Sequence, residues 1–79
     1  MDLSNFSIPE VNIRELGVYE GQTAVDFGAG TGTYTMLLAE RVGEGGRVIA
    51  VEVQKEFLTN IKNDATVRGF KNIEVIWGD

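Results

Sequence analysis

Apolar residues alternate with polar ones, or run unbroken, in three short stretches, and recur every three or four positions between them. In residues 23–27, Val25 and Phe27 share one side and Ala24 and Asp26 the other, as in a strand. Residues 47–53 are apolar on both sides (Val48 and Ala50; Ile49, Val51 and Val53), the pattern of a strand in a parallel sheet covered on both faces. Residues 73–77 form a third strand, with Trp77 on its apolar face as a core residue. Between the strands, Tyr34, Leu37, Leu38 and Val42 predict a helix over 33–42 closed by Gly43. Phe57, Leu58, Ile61 and Ala65 predict a second over 54–68 closed by Gly69. Upstream, Ser7-Ile8-Pro9-Glu10 matches a capping box for a short helix reaching Leu16 and ended by Gly17; residues 1–8 read as a loose arm.

The order is an N-terminal helix followed by β-α-β-α-β. Right-handed crossovers then place parallel strands in the order 3-2-1 with helices on the faces, a Rossmann-like three-layer α/β half-domain. No repeat, linker or low-complexity segment divides residues 1–79, so a single domain is expected. Composition narrows the chemistry. There is no cysteine, hence no disulfide or thiolate metal site, and no histidine, hence neither the commonest general base nor the commonest metal ligand; no metal is expected. The net charge of −5 comes without a lysine or arginine cluster, which argues against direct nucleic-acid binding by this segment. No apolar run reaches membrane-spanning length and the N-terminus lacks signal-peptide features, so the expectation is a cytoplasmic protein off the membrane.

The stretch "VDFGAGTG" places Gly28, Gly30 and Gly32 between a strand and a helix, at the carboxyl end of the sheet where open α/β folds bind ligands. Glycine alone leaves a ligand loop and an unliganded tight turn as near-equal readings. Glu52, about twenty residues on and at the end of the second strand, suits the two hydroxyls of a ribose; a solvated strand end is the plainer alternative. A dinucleotide fingerprint asks for a third glycine where Thr33 stands. Asp26, two residues before the first glycine, repels a pyrophosphate and attracts a cation. A nucleoside carrying positive charge satisfies both carboxylates, and S-adenosylmethionine is such a ligand.

"AVDFGAGTG", then "VIAVEV", then "VIWGD" together resemble the cofactor-binding half of class I S-adenosylmethionine-dependent methyltransferases, from about the first helix to the last residue. The resemblance implies that Asp26, Gly28 and Gly30, with Ala29 and Gly32 of the same loop, line the methionine end, and that Glu52 holds the ribose. It implies that Asp79 accepts a hydrogen bond from the adenine amino group and that Val53 packs on the ring; for Val53, ordinary core packing is an equal alternative. Family members continue into a second half that supplies most substrate contacts, so residues 1–79 read as a truncated domain with no assignable catalytic residue. The expected ligands are S-adenosylmethionine and S-adenosylhomocysteine. The leading reading is the cofactor portion of a methyltransferase of unknown acceptor; the alternatives are a non-catalytic, self-assembling half-domain and, last, an NAD or FAD domain. With its far-side neighbour missing, the first strand becomes an exposed edge, and a homodimer through that edge is expected.

Overall fold

The computed structural model describes residue 13 and residues 15–79. The arm at residues 1–8 and most of the expected N-terminal helix lie outside the described residues; Ile13 and Glu15 are helical, and Gly17 turns the chain with φ +74°. Five elements follow: β1 (Thr23–Phe27), α1 (Thr33–Val42), β2 (Arg47–Glu52), α2 (Lys55–Arg68) and β3 (Ile73–Trp77). β2 stops at Glu52 and α2 starts at Lys55, because Val53 and Gln54 form the turn between them.

The strands are parallel in the order β1-β2-β3, which read from the other edge is the expected 3-2-1. Register aligns Ala24, Val48 and Ile73 in one cross-strand row and Asp26, Ala50 and Val75 in another. These rows face the helices. α1 inserts Thr35, Leu38, Ala39 and Val42, spaced at three, four and seven residues, and α2 inserts Leu58, Ile61 and Ala65. Two adjoining clusters result. Ile13, Leu38, Ala39, Val42 and Val48 form one, and Met36, Ala50, Ile61 and Ala65 the other, with Phe70 and Ile73 against both.

Both described helices lie on the same face of the sheet. Two crossovers that advance in one direction across a sheet with one hand return their helices to the same side. The described residues therefore supply two layers, and the expected cover over the second face of β2 is not formed by them. That second face carries the rows Val25, Ile49, Glu74 and Phe27, Val51, Ile76. Phe27 is 72% exposed there, whereas Val51 is buried between its two cross-strand neighbours.

Candidate functional site

Beyond β1 the ladder continues for one turn: the Gly28 and Ala29 N–H groups both donate to the Val51 carbonyl, at 2.8 and 3.1 Å. The Gly32 N–H then donates back to the Ala29 carbonyl at 3.0 Å, and the Gly32 carbonyl accepts the first helical bond of α1 from Met36. Two of the loop glycines are required for different reasons. Gly32 has φ +85°, and a Cβ there would lie 2.8 Å from Ile61 Cγ1, so α1 and α2 approach through the missing side chain. Gly30 has φ +56°, but its Cβ would meet nothing nearer than the Gly28 carbonyl at 3.8 Å. Open space adjoins Gly30, and packing explains Gly32.

Glu52 ends the central strand and is 5% exposed. Its Oε2 accepts the Gln54 N–H at 2.9 Å and its Oε1 accepts the Gly30 N–H at 2.8 Å. These bonds, Gln54 first and Gly30 next, with a smaller one from the Val53 N–H, hold the carboxyl below its ordinary range; burial opposes them and loses. A charged carboxylate offers about four acceptor positions, so it retains capacity for further hydroxyl donors. The glycine loop and the strand-end carboxylate, proposed separately from sequence, are thus joined by one hydrogen bond.

Asp26 turns towards the helices, where Oδ2 accepts the Thr35 hydroxyl at 2.8 Å. Thr35 is fully buried and was missed by sequence reasoning. Its signal was available: a hydroxyl on the stripe shared with Leu38, Ala39 and Val42, which needs a partner inside. Two expectations are corrected at the end of the sheet. Trp77 is 62% exposed, not core, because it shares the last row with Glu52, at the level where α2 only begins. Its indole N–H donates to the Val53 carbonyl at 2.8 Å. Val53 is 52% exposed, which removes the core-packing alternative. Asp79 is exposed two residues past β3. The residues brought together are Gly28, Ala29, Gly30, Glu52 and Val53; Asp26 stands below the loop against α1, and Gly32 against α2. Among the described residues no three acidic, histidine or cysteine side chains are grouped to hold a metal ion, and no helix is long and apolar enough to cross a membrane.

A parallel α/β sheet with a glycine-rich first turn and an anchored carboxylate at the end of its second strand defines a nucleoside-binding class of fold. Residues 19–79 match the family model described as a methyltransferase domain, and the chain belongs to that family. It is 35% identical over 66 residues to the protein-L-isoaspartate O-methyltransferase of Methanococcus maripaludis, covering 84% of this chain and 31% of that protein. It is 42% identical over 45 residues to the tRNA (adenine(57)-N(1)/adenine(58)-N(1))-methyltransferase of Methanocaldococcus jannaschii, covering 57% and 16% of the two chains. Among solved structures, a SAM-dependent methyltransferase from Aquifex aeolicus superposes with a TM-score of 0.83 at 38% identity, covering 90% of this chain and 38% of that one. The chain thus spans about a third of the length of the first of these curated relatives.

Proposed function

We propose that residues 1–79 form the cofactor-binding portion of a cytoplasmic S-adenosylmethionine-dependent methyltransferase. One observation carries this reading: the buried, charged Glu52 carboxylate accepts a hydrogen bond from Gly30. Loop and carboxylate are thereby fixed side by side, with open space beside Gly30. The residues fit the ligand. Glu52 has acceptor capacity left for a ribose diol, and the exposed Val53 side chain offers an apolar surface to the adenine, with Asp79 as acceptor for its amino group. Asp26, with Gly28, Ala29, Gly30 and Gly32, stands at the methionine end, where its charge favours the ammonium and sulfonium groups. When bound, S-adenosylmethionine supplies an activated methyl group for in-line transfer to a nucleophile. The contribution of this chain is to hold and orient it. No acceptor follows from these residues, and the two curated relatives above carry names with a protein and a tRNA substrate.

Calorimetry on the 79-residue chain with S-adenosylhomocysteine and, separately, NAD tests the ligand class. Saturable heat with the first and none with the second is expected. The reverse returns the chain to the dinucleotide class, from which Thr33 and Asp26 separate it.

A second reading, self-assembly, is favoured by the edge position of β1, which is hydrogen-bonded to β2 alone among the described strands. Val25 and Phe27 lie exposed on that strand. Two copies paired antiparallel through β1 extend the sheet across a two-fold axis and bring these apolar side chains together. Light scattering during size-exclusion chromatography is expected to give the dimer mass, and a folded monomer at high micromolar concentration refutes the pairing.

A further inference from the structure

We infer that Trp77 is a positioning residue for the nucleoside-binding turn, an inference that rests on the proposed function above. The four residues from Glu52 to Lys55 leave β2 and enter α2, and each is tied down separately. The Glu52 carbonyl accepts the Gly78 N–H at 3.0 Å, and the Val53 carbonyl accepts the Trp77 indole N–H at 2.8 Å. The Gln54 N–H is held by the Glu52 carboxylate at 2.9 Å, and the Lys55 ammonium sits 4.2 Å from the centre of the Trp77 ring. Two of these four ties belong to one side chain.

An indole that is 62% exposed has water available for its N–H, so a backbone carbonyl 24 residues away is a specific choice of partner. That bond sets the plane of the peptide between Val53 and Gln54. The same peptide contributes the N–H that orients Glu52 Oε2. Rotation there moves the carboxylate and the Val53 side chain together. The ring also lies against the ammonium of Lys55, the first residue of α2, where a positive charge meets the unfavourable end of the helix dipole and the ring face offsets it. Trp77 acts through the turn, fixing the geometry that Glu52 and Val53 present to a ribose and its base.

The chain has one tryptophan, so its indole N–H is a single resonance in a two-dimensional NMR spectrum. In the unaltered protein that resonance is expected to shift with S-adenosylhomocysteine along the same saturation curve as the calorimetric heat. Trp77→Phe keeps a ring and removes the donor; it is expected to weaken binding about fivefold, the size of one lost hydrogen bond. In a Glu52→Ala background the same substitution is expected to change affinity less than about twofold, the share that acts through Val53, because the carboxylate it positions is gone. A purely structural role gives equal losses in both backgrounds. Equal losses, or an unmoved indole resonance on a protein that does bind, overturn the positioning role and leave the proposed function standing. No binding by the unaltered protein overturns both. If Trp77→Phe fails to fold, the indole resonance of the unaltered chain decides alone.

Discussion

At the carboxyl end of the sheet a buried carboxylate is met by two backbone N–H groups, and the loop beside it is open. At the amino end, the Asn72 side-chain amide donates to the Ala39 and Gly43 carbonyls at 3.0 and 2.8 Å, closing the last turn of α1. The amino end also has a cleft of about 720 Å³ between the carboxyl ends of the two helices, lined by Glu40, Arg68, Phe70 and Asn72 among others. That cleft and the anchored carboxylate sit at opposite ends. The Asn72 amide at the amino end satisfies carbonyls at the end of α1, and the Arg47–Glu74 ion pair there is exposed and 3.9 Å apart, a contact worth little. At the carboxyl end, charge is held against burial by donors from two different segments. An anchored charge with spare acceptor capacity marks a ligand site more directly than an empty cleft does.

Substitutions that separate the two ends test this contrast. The largest effect is expected from Gly30→Val. Its side chain enters the open space beside the loop at a φ of +56°, and affinity for S-adenosylhomocysteine should fall by more than about a hundredfold. Calorimetry paired with circular dichroism checks it, and normal binding by the folded variant makes the loop a turn and nothing more.

Next comes Glu52. Glu52→Gln keeps the shape and removes the charge, and a loss of roughly ten- to a hundredfold in affinity is expected, the scale of charge-assisted hydrogen bonds to a diol. The carboxyl is depressed in the folded state, so the stability it contributes is fully present above its ordinary value of 4.5 and is lost as the pH falls below that through the depressed value. Unfolding curves between pH 6 and about pH 3 should accordingly fall less steeply for Glu52→Gln than for the unaltered chain. Parallel curves remove the anchored charge from the account.

The smallest effect on binding belongs to the amino end. Asn72→Ala removes both caps on α1 and should lower stability by about 1–2 kcal/mol, moderated because the amide oxygen is itself buried without a hydrogen-bond partner among the described residues. Affinity for the nucleoside should stay within about twofold. A larger loss of affinity joins the two ends and dissolves the comparison.

Much of this molecule is legible in residues taken in order. The bounds of β1, α1 and β3, and the glycine endings of both helices, follow from periodicity and turn chemistry, which act between neighbours. The juxtaposition of the glycine loop with Glu52 was also within reach, since parallel strands joined by a helix must bring their carboxyl ends together. Other features depend on contacts between segments that no local pattern encodes. Trp77 looked like core because its strand is apolar, but coverage depends on where α2 begins above the sheet. Gly32 also meets a packing demand that no local pattern encodes, since Ile61, 29 positions on in the chain, lies where its Cβ would point. Asp26 was placed on the correct face of β1, yet its partner Thr35 comes from α1, packed against that face. Strand and helix identity, and the order of the chemistry along the chain, were determined by the sequence itself. Which face is covered, which glycine meets a packing demand and how the Glu52 carboxylate is anchored were decided by tertiary packing, because burial is a property of neighbours brought together by the fold.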